Sequence, residues 1–167
     1  DPRKGFDLLK KALNHLRGQM YGLELLLFGQ LSPKAPLDLS FPVHYAGHLH
    51  DDISLRLLFS AADLMVIPSR QDNLPNTGVE ALACGLPVVS FDACGLPDLV
   101  IHRKTGYLAK AFDTEDLAQG IQWVLSDSKL HEILCLNSRS EAVSRFSYSA
   151  VGNAYKLLYE NILATGH

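Results

Sequence analysis

The chain has 167 residues, of which 47% are hydrophobic and 20% charged, and its formal net charge is −3. A domain typically has about 100–200 residues, so this length fits one domain with a sizeable hydrophobic core. The hydrophobic content excludes a disordered chain, and no run approaches the roughly 20 apolar residues of a membrane span. The slightly acidic balance excludes the broad basic surface typical of nucleic-acid-binding proteins.

Helical and extended patterns alternate from the start of the chain. Apolar residues at helical spacing predict a helix over 5–17, and the run from Leu23 to Phe28 predicts a buried strand. Three prolines place the stretch 30–42 in a loop. Four further strands are predicted at 43–46, 64–67, 88–91 and 106–109. The later helices are predicted from Asp51 onward and at 77–84, 97–101, 113–125, 129–142 and 147–163.

The predicted strands are apolar on both faces, and helices separate most of them. This pattern indicates a parallel sheet with helices covering both sides. Neither an internal repeat nor an interdomain linker interrupts it. We therefore expect one doubly wound α/β domain over residues 1–167.

The first five residues and the three cysteines bear on the cellular context of the protein. The chain opens Asp1-Pro2-Arg3-Lys4-Gly5, without an initiating Met or an apolar signal segment, which favours an excised domain. Three cysteines with no Cys-x-x-Cys spacing favour free thiols in the cytoplasm. They are Cys84, Cys94 and Cys135.

The segment after the predicted strand 64–67 holds most of the candidate site residues. In doubly wound sheets, ligands bind at the carboxyl ends of strands, where loops lead into helices. Here Asp72 lies in the loop and Glu80 lies about one turn into the next helix. Backbone N–H groups around Asn76 and Thr77 carry the partial positive charge of a helix start, which favours a phosphate. The alternative is that Asp72 caps a turn and Glu80 is solvated, and spacing alone does not separate the two.

The same segment resembles a known enzyme family. Asp72 and Glu80, followed by Ala-Leu-Ala-Cys-Gly-Leu-Pro-Val-Val, are similar to the E-x7-E region of retaining glycosyltransferases of family 4. Further matches in chain order extend from Lys4-Gly5 to Gly106. The resemblance implies a Rossmann-like domain that is one half of a GT-B architecture, in which two such domains face each other across a cleft. This chain would be the C-terminal donor-binding half, without its first strand and without the N-terminal acceptor domain.

The resemblance also implies roles for the residues that carry charge. Glu80 matches the glutamate that holds the donor ribose. Asp72 matches the glutamate that contacts the transferred sugar, although its side chain is one methylene shorter. Lys4 matches a lysine that binds the diphosphate, and a solvated loop lysine is its alternative role.

Five further residues are assigned to the donor pocket by the same resemblance. Pro75 replaces a residue of the family's Gly-Phe-Gly and has no N–H to donate. The amides of Leu74, Asn76 and Thr77 are therefore the expected contacts to sugar and phosphate. Two other loops contribute His48, placed near the nucleobase, and Gly95, which matches part of a Gly-Gly pair.

Three groups of residues leave their roles open. Arg70 could contact a phosphate or form a surface ion pair with Asp72. The three histidines of 44–50 lack metal-ligand spacing, so a metal site there is disfavoured. The aromatic residues of the last helices belong either to the core or to an interdomain contact. They are Trp123, Phe146, Tyr148, Tyr155 and Tyr159.

The resemblance predicts a hexosyltransferase that uses a UDP-sugar or GDP-sugar and no metal or other cofactor. The acceptor would be a glycan or a lipid-linked sugar, and the full-length enzyme would be cytoplasmic, with a peripheral membrane contact through the absent domain. The fragment alone would bind donor but transfer no sugar. The alternatives are a non-catalytic nucleotide-binding or interaction module and a nucleotide-sugar epimerase of the same architecture.

Overall fold

The computed structural model describes residues 1–29 and 39–165, and part of the predicted loop 30–42 lies outside them. A short 3-10 turn, Pro2–Lys4, precedes the first helix. The strands are β1 (Leu25–Leu27), β2 (Val43–Tyr45), β3 (Met65–Ile67), β4 (Val88–Phe91) and β5 (Gly106–Ala109). The helices are α1 (Phe6–Leu16), α2 (Asp52–Ala61), α3 (Asn76–Ala83), α4 (Leu96–Leu99), α5 (Thr114–Leu125), α6 (Ser128–Phe146) and α7 (Tyr148–Thr165).

Aspartate side chains define where three of the helices begin. The Asp51 carboxylate accepts a hydrogen bond from the Ser54 amide at 2.8 Å, which caps α2 as its acidic start predicts. Asp113 and Asp127 cap α5 and α6 in the same way. Each carboxylate satisfies an amide at the helix start that has no partner within the helix.

All strand pairs are parallel, which confirms the predicted α/β class, but the strands form two sheets. β1 pairs with β2, and β4 lies between β3 and β5. In the larger sheet Val88 lies opposite Met65 on one side and Gly106 on the other. The prediction of a single sheet differs from the structure because β1 and β3 are not hydrogen-bonded to each other.

Helices cover both faces of the larger sheet, as predicted. Successive side chains of a strand point to opposite faces, so Val88 and Val89 belong to different clusters of buried residues. Val89 packs in a cluster with residues of α1 and α5. Val88 packs in the other cluster with residues of α3, α4 and α6. The loops that follow β3 and β4 therefore both begin at the carboxyl edge of one well-packed sheet.

A cleft of about 770 Å³ lies between the two sheets. Its apolar lining includes Leu9 and Leu13 of α1, Leu25 and Leu27 of β1, and Met65 of β3. The cleft thus runs along the facing edges of β1 and β3. It includes Lys4 but none of the residues of the loop 69–75.

Helix α6 ends later, and helix α7 begins one residue later, than the sequence predicts. α6 continues to Phe146 instead of ending near residue 142, because Ala142 is buried and Glu141 pairs with Arg145 at 3.6 Å on the next turn. Ser147 is extended and separates α6 from α7. Its hydroxyl accepts from the Ala150 amide at 3.2 Å.

α7 packs against α6 but buries none of its residues. Its exposed side chains include Tyr148, Tyr155 and Tyr159, so these three are not core residues. The interdomain alternative for them stays a prediction. Trp123 and Phe146 are half-buried. No helix in the described part of the chain has the length and apolar character needed to cross a membrane.

Candidate functional site

Three backbone segments meet at the carboxyl edge of the larger sheet. They are the N-terminal turn 1–5, the loop 68–75 after β3 and the loop 92–95 after β4. The Arg70 amide donates to the Arg3 carbonyl at 2.7 Å, and the Gly95 amide donates to the Asp72 carbonyl at 3.0 Å. Ligands of open parallel sheets bind at such an edge. The loop after β3 is thus tied to both of its neighbours.

The structure brings together Lys4 and Asp72, the residues that the resemblance assigns to the diphosphate and to the transferred sugar. The Lys4 Nζ atom lies 2.8 Å from an Asp72 carboxylate oxygen. The Ser69 hydroxyl donates to the same oxygen at 3.3 Å. Only 16% of the Asp72 side chain is exposed, against 61% of the Lys4 side chain. The ammonium group therefore remains accessible to a ligand while the carboxylate is held in the loop.

Gly95 is required by a close backbone approach. A Cβ atom at this position would lie 1.6 Å from the Asn73 carbonyl oxygen. The preceding residue, Cys94, has a positive φ of 53° and directs its Sγ atom to the Arg70 carbonyl at 3.6 Å. Residues 94 and 95 therefore pack directly against the loop that carries Asp72. Whether Gly95 also contacts a donor stays a prediction.

The start of α3 presents backbone amides at the same edge. Pro75 is the N-cap, and its carbonyl accepts from the amides of Gly78 and Val79 at 2.9 and 3.2 Å. The amides of Asn76 and Thr77 come before these bonds, where a helix has no internal acceptors for them. Such N–H groups, with the positive end of the helix dipole, favour an anion.

Close packing fixes the direction of α3. Gly78 is buried, and a Cβ atom there would lie 2.4 Å from the Leu99 side chain and 2.8 Å from that of Ile67. α3 can therefore approach the end of β3 closely. The side chain of Leu74, in the loop just before the helix, is 41% exposed. This packing holds the first turn of α3 at the carboxyl edge.

Glu80 lies on the accessible side of α3. It is exposed, and within residues 1–29 and 39–165 its carboxylate has neither a hydrogen bond nor an ion pair. Residues three and four apart share a helix face, so Glu80 shares a face with Thr77 and Asn76. A ligand at the helix start would therefore lie within reach of the Glu80 carboxylate.

His48 lies apart from the other candidate residues. It follows β2 in the smaller sheet, and its ring stacks on that of His50 with 4.1 Å between centroids. Nearby, His44 pairs with Glu24 at 2.6 Å. The described contacts do not connect His48 to the Lys4–Asp72 pair. Its role near a nucleobase stays a prediction.

Arg70 pairs with a residue that the sequence reasoning missed. Of the two alternatives for Arg70, the ion pair with Asp72 is not formed, because both terminal guanidinium nitrogens donate to the Asp7 carboxylate at 2.6 Å. This hydrogen bonding lowers the pKa of Asp7 from 3.8 to about 2 and raises the pKa of Arg70. The only local signal for Asp7 is its position in the first turn of α1, next to the Lys4 turn.

Residues 1–127 match the sequence profile of the family described as "Glycosyl transferases group 1". A relative described as D-inositol 3-phosphate glycosyltransferase, from Jonesia denitrificans, is 31% identical over 172 residues, which covers 95% of this chain and 40% of the relative. The chain spans 28% and 43% of the length of two further curated relatives.

Two solved structures extend the likeness to the whole described fold. Sucrose-phosphate synthase from Thermosynechococcus elongatus has a TM-score of 0.79 at 28% identity, with 99% of this chain and 44% of that chain covered. HepE from Anabaena, solved in complex with UDP, has a TM-score of 0.79 at 25% identity, with 96% of this chain and 46% of that chain covered. The matched profile covers well over half of the sequence, and the chain belongs to the group 1 glycosyltransferase family.

Proposed function

We propose that this chain is the donor-binding domain of a retaining glycosyltransferase that moves a sugar from UDP or GDP to a glycan or a lipid-linked acceptor. The observation that carries the proposal is the contact between Lys4 and Asp72 beside the start of α3. A cation, a carboxylate and the first amides of a helix thus lie at one sheet edge. A nucleoside diphosphate sugar needs all three kinds of group.

The diphosphate is assigned to Lys4 and the first amides of α3. When the bond between sugar and diphosphate breaks, negative charge develops on the departing phosphate. A fixed cation and oriented N–H groups stabilise that charge most where it develops. Lys4 is 61% exposed, so its ammonium group can turn from Asp72 to a phosphate oxygen. We propose that these groups neutralise the diphosphate without a metal ion.

The two carboxylates are assigned to hydroxyl groups of the donor. Glu80, exposed on α3, would accept from the two ribose hydroxyls. Asp72 would accept from a hydroxyl of the transferred sugar once Lys4 has moved to the diphosphate. The Asp72 loop is held by the Gly95 amide, so this carboxylate is oriented before the donor arrives.

The cleft between the two sheets supports a proposal about the rest of the enzyme. An extended strand running parallel between β1 and β3 would pair with both edges and join the two sheets into one. Its carboxyl end would lie where residues 1–5 already contact the loop after β3. We propose that such a strand precedes Asp1, together with an acceptor domain that completes the catalytic cleft. Without that domain, this chain binds donor but transfers no sugar.

Titration calorimetry of this chain with UDP, GDP and ADP tests the donor site. We expect UDP or GDP to bind at millimolar concentrations or below, and no detectable heat with any of them would refute the assignment. Glu80→Ala removes hydrogen bonds to a charged group worth about 1.5–3 kcal/mol, so affinity should fall about tenfold to a hundredfold. Glu132→Ala, on the exposed face of α6, is the matched control and should bind as the unaltered chain does. Unchanged affinity in Glu80→Ala would exclude the ribose role.

A further inference from the structure

Three nitrogen atoms of Arg70 join the loop after β3 to the N-terminal turn and to the first turn of α1. Its backbone amide donates to the Arg3 carbonyl at 2.7 Å. One guanidinium nitrogen donates to the Pro2 carbonyl at 3.1 Å. The same nitrogen and its neighbour form the two-bond contact with Asp7. Lys4 lies inside the segment that these contacts enclose, between Arg3 and Asp7.

The turn has little freedom while these contacts are present. The Gly5 amide donates to the Pro2 carbonyl at 3.2 Å, which closes the turn around Lys4. Gly5 has a positive φ of 66°, and a Cβ atom there would lie 1.9 Å from the Pro68 carbonyl oxygen. The backbone of the turn is therefore pressed against the exit of β3 on one side and held by Arg70 on the other.

The chemistry of the contact suits an orienting role. A guanidinium group meets a carboxylate with two parallel hydrogen bonds, which fix direction as well as distance. A lysine at position 70 would keep the charge but not this planar match. Asp7 lies in the first turn of α1, whose buried leucines anchor the helix to the core, so the pair connects the turn to a rigid helix. Within the described residues the Lys4 ammonium group makes one hydrogen bond, to Asp72, so its position depends on the position of the turn that carries it.

The geometry points to Arg70 as a positioning residue for the donor diphosphate: paired with Asp7, it holds the Lys4 turn at the sheet edge so that the ammonium group meets the phosphates. This inference rests on the proposed function. Arg70 acts through Lys4 and does not itself contact the donor, since both of its terminal nitrogens are engaged with Asp7 and Pro2.

A double-mutant cycle tests the coupling between Arg70 and Lys4. The measurement is calorimetric affinity for whichever of UDP and GDP binds the unaltered chain more tightly. Arg70→Ala and Lys4→Met should each weaken binding about tenfold, the value of one charge-assisted contact. In the Lys4→Met background, Arg70→Ala should cause no further loss. Losses that multiply would overturn the inference, because Arg70 would then act independently of Lys4.

Two variants distinguish the orienting role of Arg70 from its charge, and a control variant distinguishes it from a general effect on folding. Arg70→Lys should weaken nucleotide binding nearly as much as Arg70→Ala. The double variant Asp7→Arg with Arg70→Asp, which exchanges the two charged groups, should restore most of the nucleotide affinity. Lys104→Ala, which breaks the 3.1 Å pair with Glu141 of α6, away from the Lys4 turn, is the control and should leave affinity unchanged. Full binding by Arg70→Lys would show that the two-bond geometry is dispensable and would overturn the inference.

Amide hydrogen exchange tests the same contact without a nucleotide. Arg70→Ala should speed exchange of the Gly5 amide, whereas that of Val89, in the centre of the sheet, should not change. If no nucleotide binds the unaltered chain, the proposed function fails, while this measurement still decides whether Arg70 holds the turn. An unchanged Gly5 rate would contradict the inference even in a chain that binds UDP.

Discussion

A methyl group at position 95 should separate the two loops that form the candidate site. Its carbon atom would lie 1.6 Å from the Asn73 carbonyl oxygen, 2.4 Å from the carbonyl carbon and 2.9 Å from the Asn73 Cα atom. These are backbone atoms, so no side-chain rotation relieves the clash. The loop 92–95 must move away from the loop 68–75, and the bond from the Gly95 amide to the Asp72 carbonyl is then lost.

The cost of Gly95→Ala follows from these two effects. Inserting a group into a tightly packed region costs about 1–3 kcal/mol. Losing a backbone hydrogen bond costs about 0.5–1.5 kcal/mol. The free energy of unfolding should therefore fall by about 1.5–4.5 kcal/mol. UDP or GDP affinity should fall as well, because Asp72 moves with its loop.

Urea unfolding followed by circular dichroism measures this cost. Gly152→Ala is the matched control, because it lies inside α7 with nothing within 4 Å of an added Cβ atom. Alanine favours a helix over glycine by about 1 kcal/mol, so this control should be neutral or slightly stabilising. An unfolding midpoint for Gly95→Ala equal to that of the unaltered chain would refute the packing argument.

Two further predictions concern stability. Within the described residues, the fully buried Ser90 hydroxyl has no hydrogen-bond partner, so Ser90→Ala should raise the free energy of unfolding by about 1 kcal/mol; a lower urea midpoint would contradict this. Arg70 lowers the pKa of Asp7 to about 2, so the ionised Asp7 carboxylate stabilises the fold fully above its unfolded pKa, and this contribution is lost as pH falls from 3.8 towards 2. Acid unfolding of Asp7→Asn should lack that part of the pH dependence, and identical acid profiles would count against it.

Much of the fold follows from local patterns in the sequence. The four residues of β4 are apolar or small and completely buried, and Pro87 precedes them, so both the strand and its place inside a parallel sheet are predictable. The start of α2 is predictable because Asp51 and Asp52 have a local electrostatic role at a helix start. The end of α6 is not predictable in this way, since it depends on the burial of Ala142 in a tertiary contact.

The candidate site likewise has a part that the sequence predicts and a part that depends on tertiary contacts. Asp72, Glu80 and the start of α3 lie in one continuous segment, and the loop–helix pattern there indicates an anion site. The contact of Lys4 with Asp72 spans 68 positions, and no periodicity encodes it; only the family resemblance suggested that both residues serve one ligand. No local pattern in the sequence indicates the pair of Arg70 with Asp7. It depends on how α1 packs beside the exit of β3.

The contrast between β4 and α7 sets the order in which the domain comes apart. β4 has a neighbour on each side and no exposed area, whereas α7 buries none of its residues. Segments with few buried contacts open at the least cost in free energy. A protease would therefore cut within α7 long before it reached the strands. The trimmed domain would still carry the loops 68–75 and 92–95, and with them the proposed nucleotide site.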